Sequence, residues 1–273
     1  MRIGTLLKNS GPASTREIIT GCAAAAEQAG IDDVWVLDHI AIPPDESEGS
    51  GGRYVDPLAT LAYLAGITER VNIGVSVLIL PYRPALATAK WVASIQELSG
   101  DRLLLGVGAG WMAAEFTAVD VPRERRGAIT NETLAFFHHC FDSEPAIANG
   151  QEFLFKPQPN RPPFLVGGSG AHVVKRIVEY GDGWLPMNSD PEKLQAPIAE
   201  LGDALAAAGK GTPEVIPIAS FDLDDSSASA ARLTELSKVG VTGINYMAKY
   251  ESVGEYETIV GKLMEVKSAA GIS

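Results

Sequence analysis

His39 carries the first chemical signal in this sequence. It follows Asp38 at the end of an apolar run, Val34–Leu37, and is one of four histidines in 273 residues. An imidazole there can act as a general acid or base, or donate a hydrogen bond to a bound cofactor; the plainer alternative is a ring satisfied by nearby backbone. A second signal is Gly167-Gly168-Ser169-Gly170, set between an apolar run, Pro163–Val166, and a helical pattern beginning at Ala171. Free backbone N–H groups and a helix dipole converge at such a junction, which suits a phosphate, and glycine lets an anion come close to the backbone. A tight turn needing positive φ would use the same residues. A third is Gly108-Ala109-Gly110-Trp111-Met112-Ala113, formally the dinucleotide pattern G-x-G-x-x-G/A. It follows the fourth predicted strand rather than the first, and no helical pattern follows directly. A loop whose glycines admit a flat ring is the better reading. Ser76 is not in a G-x-S-x-G elbow, because Leu78 replaces the second glycine; this weakens a hydrolase reading.

Other candidates are weaker. His138, His139 and Cys140 fall inside a predicted helix, where adjacent residues point in different directions. With no second ligand cluster they read as structural, and no metal is expected. Trp35, Trp91 and Trp184 read as core; Trp111 stands apart because it follows a strand and a Gly-rich turn. Arg53, Arg83 and the group Arg123, Arg125, Arg126 can meet an anionic cofactor or substrate, against a default of solvated surface charge.

The elements that must position these residues are legible as apolar runs and helical patterns. Val71–Leu80 is a strand stopped at Pro81. A helix follows, marked by Leu86, Lys90, Trp91, Ile95 and Leu98 and ended by Ser99-Gly100, and then a strand, Leu103–Val107. Neither strand alternates strictly, which fits parallel strands covered on both faces. Before this unit come strand Ile3–Leu7, a helix to Ala29 with Ser14 and Glu17 as a capping box, strand Val34–Leu37, a mobile excursion at Pro43–Gly52 and a helix from Pro57 to Thr68. After it come a long connection at Trp111–Arg126, a helix at Gly127–Phe141, and a polar arm at Ser143–Pro163 with a small hairpin near Glu152–Phe155. Strands at Pro163–Val166, Gly183–Pro186, Val215–Ala219 and Gly243–Met247 alternate with helices at Ala171–Tyr180, Pro191–Ala208, Ser226–Lys238 and Val253–Ala269. Roughly eight strand–helix repeats with no dividing linker predict one (β/α)8 TIM barrel over residues 1–273, rather than a doubly wound sheet. The active site of such a barrel lies at the C-terminal ends of the strands. The excursions after strands two and four fall on that side and could act as a lid.

Composition sets outer limits. Twenty-two basic against 34 acidic side chains give a net charge of −12, which argues against a broad nucleic-acid or anionic-membrane surface. Two cysteines provide no disulfide framework, and neither a signal peptide nor a membrane-spanning run is visible, so a cytoplasmic location is expected.

Several blocks together resemble the bacterial luciferase-like flavin/deazaflavin oxidoreductase superfamily, and most of all its short coenzyme F420-dependent members. They are Trp35–His39, Arg53–Leu58, Gly74–Arg83, Leu98–Phe116, Pro163–Gly170 and Tyr180–Pro186. The resemblance implies a barrel with a flavin-like ring at its mouth. It implies a bulge on strand three with a non-proline cis peptide, here Ser76-Val77, behind that ring. His39, beside Asp38, would contact the ring region as the catalytic residue; Ala109 and Gly110 would lie along the cofactor; Gly167, Gly168, Ser169 and Gly170 would hold its phosphate. A homodimer is implied as well. One departure stands out: sugar-phosphate dehydrogenases of the superfamily carry a glutamate directly after the strand-four glycines, where this chain has Trp111. Glu115 lies one helical turn on and is not an obvious replacement, so that activity is not expected.

The expected function is hydride transfer between coenzyme F420 and a small organic substrate. His39 would steer protonation or bind the ring's polar edge, and Trp111, Arg83 and Arg53 would serve as substrate or lid residues. The alternative is an FMN-dependent luciferase-like monooxygenase needing a flavin reductase partner and O₂. A non-catalytic flavin-binding barrel is a third reading. A metal-dependent barrel hydrolase is a fourth, disfavoured by the missing ligand cluster.

Overall fold

The computed structural model describes residues 1–47 and 49–272; Glu48, within the expected excursion, and Ser273, at the end of the expected single domain, lie outside the described residues. Short apolar strands alternate with helices along the chain: β1 (Arg2–Leu6), α1 (Arg16–Ala29), β2 (Asp33–Val36), α2 (Pro57–Ile67), β3 (Asn72–Ile79), α3 (Ala85–Ser99), β4 (Leu103–Gly108), α4 (Ala113–Ala118) and α5 (Arg126–Asp142). An antiparallel hairpin, β5 (Ala146–Ala148) and β6 (Gln151–Phe153), forms the polar arm. There follow β7 (Phe164–Gly167), α6 (Ala171–Tyr180), β8 (Gly183–Leu185), α7 (Pro191–Ala207), β9 (Glu214–Val215), β10 (Ile218–Ala219), α8 (Ser226–Lys238), β11 (Gly243–Tyr246) and α9 (Val253–Ala269). Among the described residues no helix is long and apolar enough to cross a membrane.

Nine strands form one parallel sheet in the order β10-β11-β1-β2-β3-β4-β7-β8-β9. β9 and β10 are two pieces of one run, interrupted at Pro217, which has no N–H to give the ladder. That run bonds on both sides. Ile216 N donates to Trp184 O, while Thr242 N donates to Val215 O and Met247 N to Ala219 O. The sheet therefore curls until its ends meet. Its outer face packs on the helices through residues such as Val34, Val36, Ile73 and Val75. Its inner face holds a separate cluster of Leu6, Trp35, Leu104, Leu165, Leu185 and Ile216. Burial on both faces is why these strands read as unbroken apolar runs.

The strand starts carry a closed polar floor. Arg2 pairs with Asp33 at 3.0 Å and Glu214 at 2.9 Å, and Asn72 donates to Asp33 at 2.8 Å. The Glu27 carboxylate accepts the N–H groups of Glu69, Arg70 and Val71, and Arg102 donates to the carbonyls of Thr68, Val71 and Ser99.

Three expectations need correcting. The N-cap of α1 is Thr15, which accepts from Ile18 N. Ser14 is not free to cap, because its hydroxyl donates to Gly11 O and accepts from Arg53. On α3 the period is as expected but the face is not: Leu86, Trp91 and Leu98 are exposed, Trp91 by 47%, so it is not core. Thr88, Ala89, Val92, Ala93 and Gln96 go inward with Ile95, because small side chains let this helix lie close to the sheet. The connection after β4 is not wholly irregular, since α4 and a 3-10 turn at Arg123–Arg125 lie within it.

Candidate active site

A cavity of about 740 Å³ opens at the C-terminal ends of the strands, within the usual size range for small-molecule sites. His39, after β2, stands on its wall, and Glu115 from α4 stands behind the imidazole. Glu115 Oε2 lies 3.0 Å from His39 Nδ1 and accepts from the Tyr82 hydroxyl at 2.9 Å. Glu115 Oε1 accepts from Ile40 N at 2.6 Å and Ala41 N at 3.0 Å. Burial pushes the Glu115 carboxyl up, but the bonds from His39, Ala41 and Ile40 outweigh it and hold the group at about 2. The carboxylate is thus an anion acting only as acceptor, so Nδ1 of His39 carries the proton. Nε2 makes no hydrogen bond to a described residue and is left for a ligand. Burial and Glu115 push the Tyr82 hydroxyl well above its usual range, keeping it a donor. Tyr54 and Trp111 pack edge-on against the imidazole, with centroids 5.0 and 6.3 Å away. The result is an oriented imidazole backed by a buried carboxylate, an arrangement suited to moving a proton at Nε2.

Asp38 lines the cavity, but its carboxylate is committed elsewhere. It accepts from Ile79 N at 2.8 Å and bidentately from Arg83 at 2.6 and 2.8 Å. Burial pushes this carboxyl up against the pull of Arg83. For Arg83 burial acts downward and is more than offset by Asp38 and Asp56. Arg83 is therefore neither a solvated charge nor a cavity group, and Asp38 ties the end of β2 to the end of β3. Arg53 is likewise turned away, donating to Ser14 Oγ at 2.9 Å and Ser14 O at 3.0 Å.

Ser76 and Val77 form part of the cavity floor. The peptide between them is cis, and the β3–β4 register shifts between Val75 and Leu78. The Val77 side chain also accounts for two glycines. A Cβ on Gly108 would lie 2.5 Å from Val77 Cγ2, and one on Gly167 2.8 Å from Val77 Cγ1. A Cβ on Gly110 would meet Ile79 at 2.7 Å. The room left by these glycines is thus partly taken by the protein's own side chains, a correction to reading them only as space for a flat ring. Ala109 and Gly110 still line the cavity, and Trp111 stands 61% exposed at its edge.

The opposite end gathers two arginines, with the Glu124 carboxylate on the same wall. Gly167, Gly168 and Ser169 lie on the wall where β7 gives way to α6. Gly170 lies off that wall and starts the helix at φ 86° without a side-chain cap. Trp184 Nε1 donates to Gly168 O at 2.8 Å and fixes the turn. His172, Arg126 and Arg176 join the wall here. Arg176 is 7% exposed, yet it bonds only neutral groups, Asn131 Oδ1 at 2.7 Å and Gly127 O at 3.4 Å. Burial pushes its ionisation down. A buried guanidinium lacking a carboxylate, beside a helix start with open N–H groups, can receive an anion.

Tyr82 and Arg176 are not singled out among the sequence-derived candidates, and Glu115, set aside there as no obvious replacement for a glutamate after the strand-four glycines, in fact stands at the site against His39. Arg176 left a signal, falling three residues after Val173 and one before Ile177, on the buried stripe of α6. The signal for Glu115 is its place one helical turn past the strand-four glycines, discounted on sequence grounds because Trp111 stands directly after them. His138 and His139 serve structure, His138 Nε2 bonding Tyr180 O and His139 Nε2 accepting from Ile147 N. Among the described residues, no three His, Cys, Asp or Glu side chains gather to hold a metal ion.

The chain is similar to several known proteins. It is 27% identical over 221 residues to the 5,10-methylenetetrahydromethanopterin reductase of Methanolobus tindarius, covering 78% of this chain and 64% of that one. The structure of monooxygenase RslO1 from Streptomyces bottropensis superposes with a TM-score of 0.80 at 19% identity, covering 98% of this chain and 99% of that one. An F420-dependent secondary alcohol dehydrogenase, solved with an F420-acetone adduct, superposes with a TM-score of 0.78 at 18% identity, covering 98% of each chain. The family described as luciferase-like monooxygenase matches residues 1–269, and the chain belongs to that family.

Proposed function

We propose that this protein is a (β/α)8-barrel oxidoreductase that uses coenzyme F420 to pass a hydride to or from a small organic molecule, with the connections after β2 and β4 covering the site. The observation that carries the reading is the pairing of two unlike ends in one cavity: His39 backed by Glu115, and Arg176 without a counter-ion at the start of α6. The donor set fits a phosphate-bearing cofactor, since Ser169, the start of α6, Arg126 and Arg176 offer donors with no competing carboxylate bond. Coenzyme F420, when bound, supplies two-electron hydride transfer and does not activate O₂. Any group that yields or accepts a hydride as an alcohol or carbonyl must also yield or accept a proton. His39 supports that half of the chemistry: Nε2 exchanges the proton, and Glu115 fixes the tautomer and stabilises the imidazolium. The fold similarity to an F420-dependent dehydrogenase supports the same reading.

The second reading is an FMN-dependent monooxygenase with a reductase partner and O₂. It is favoured by the family description and by the likeness to RslO1. Fluorescence titration of the purified protein with F420 and with FMN separates the two. Tighter binding of F420, weakened in Arg176→Ala, upholds the first. Preference for FMN, with substrate-dependent oxygen uptake, replaces it with the second. Binding of neither overturns both.

A further inference from the structure

The excursion after β2 leaves the sheet beyond Leu37, carries His39, and returns at Val55. One side chain holds both of its feet. Asn9, in the loop after β1, is 1% exposed. Its Oδ1 accepts from Leu37 N at 2.9 Å, and its Nδ2 donates to Leu37 O at 2.7 Å and to Val55 O at 2.8 Å. Its backbone carbonyl accepts from Val55 N at 2.8 Å. Two of the three side-chain partners are carbonyls, so the position needs two N–H donors and an acceptor, the set a carboxamide carries.

The way β1 ends explains the residue. Leu7 N still donates to Trp35 O at 2.8 Å. A parallel ladder would next carry Leu37 N to Leu7 O. The Leu7 carbonyl accepts instead from Asn9 N at 2.9 Å, in a tight turn, and Lys8 N goes to the Tyr250 hydroxyl at 2.7 Å. The Asn9 carboxamide, planar like a peptide unit, takes both backbone groups of Leu37 in place of the missing rungs. On the other flank Asp38 accepts from Ile79 N of β3 at 2.8 Å. The two residues before His39 are thus clamped from both sides by side-chain bonds. Arg83 links the same two feet a second time, from Asp38 to Asp56, so the excursion stays attached without Asn9.

Resting on the function proposed above, we propose that Asn9 is a positioning residue for His39. Glu115 fixes which nitrogen of the imidazole carries the proton; Asn9 fixes where the imidazole stands, by holding the Leu37 peptide, and makes the two feet of the excursion open as one unit.

The test uses NMR on the full chain as wild type, Asn9→Ala and Asn9→Asp, with Asp33→Ala at the other end of β2 as the control for a simple loss of stability. Asn9→Asp keeps the acceptor for Leu37 N but sets a carboxylate against the Leu37 and Val55 carbonyls. Hydrogen exchange is read at Leu37 N and Val55 N, with Leu7 N as internal reference. Both Asn9 variants are expected to lower protection at the two feet together, by about tenfold or more relative to Leu7. The ring-nitrogen shifts of His39, read where the ring is neutral, are expected to show one tautomer, protonated at Nδ1, in wild type and in Asp33→Ala, and a mixture in both Asn9 variants. A single tautomer retained in the Asn9 variants, or an equal disturbance in Asp33→Ala, overturns the proposal. If the Asn9 variants do not fold, exchange of the wild type in low urea decides: one shared opening for Leu37 and Val55, distinct from that of Leu7, upholds the single post, and separate openings overturn it. Titration of the same preparations with F420 and FMN keeps the two readings apart. A protein that binds neither cofactor yet shows the expected exchange and tautomers overturns the redox reading and leaves the Asn9 assignment standing.

Discussion

The two rims of the curled sheet treat charge in opposite ways. At the strand starts the strong groups are answered: Arg2 by Asp33 and Glu214, Asp33 again by Asn72, Glu27 by three backbone N–H groups, and Arg102, which also lacks a carboxylate, by four carbonyls and the Thr68 hydroxyl. At the strand ends, bonds are left open on purpose-shaped surfaces: His39 Nε2 has no partner among the described residues, and Arg176 is buried against neutral groups alone. A fully satisfied network holds a structure in place, whereas an unsatisfied one stores a demand for a ligand. The contrast divides the molecule into an end that maintains the fold and an end that acts, the division expected of strand–helix barrels.

The largest expected effect breaks the floor. Asp33→Ala removes the acceptor of Asn72 and of Arg2 Nε, although Arg2 keeps Glu214, and should cost roughly 3 kcal/mol in urea unfolding for two lost bonds to a buried charge, while leaving cofactor affinity per folded molecule unchanged. A loss of affinity without a loss of stability would erase the division.

Next is the carboxylate behind His39. Glu115 sits at about 2 when folded, against an ordinary 4.5. Its folded value is depressed, so its contribution to stability is complete above pH 4.5 and is lost as pH falls toward 2. The expected span is about 3 kcal/mol. Unfolding curves between pH 2 and pH 6 should show this acid limb flattened in Glu115→Gln.

Arg176→Ala should act the other way round from the floor substitution. We expect cofactor affinity to fall by roughly 30-fold, about 2 kcal/mol for a lost charge-assisted bond. Stability should hold or rise, because a buried cation without a carboxylate is removed. A marked fall in stability would place Arg176 with the structural groups.

The smallest effect is expected from Trp111→Ala, within about 0.5 kcal/mol in stability since the ring is mostly in solvent, with its influence confined to what occupies the mouth.

Much of the scaffold was legible. Parallel strands covered on both faces announce themselves as apolar runs, and Gly30 and Gly100, both left-handed, end α1 and α3 where glycine predicts a stop. The glycines after β4 and β7 and the histidine after β2 fall where strand ends must be. The face of α3 was hidden because Ala89 and Ala93 carry too little hydrophobic weight to outvote Trp91 and Leu98, although close packing favours them. The role of Glu115, a residue noticed and set aside, was hidden for a deeper reason. Its role arises from Tyr82, Ile40 and Ala41, which are distant in sequence and arrive together only when the loops after β2, β3 and β4 converge. Side-chain type reveals a histidine's capacity but not which carboxylate will stand behind it. Arg53 and Arg83 show the converse, candidates by type that neighbouring Ser14 and Asp38 had already engaged.

The interior cluster around Trp35 has a consequence for the direction of traffic. The indole is wholly buried inside the curl, packed with Leu6, Leu104, Leu165, Leu185 and Ile216, and closes it beneath the cavity. This plug bars passage along the barrel axis, so ligands come and go on the strand-end side, where the connections after the strands lie, and not through the floor at the strand starts.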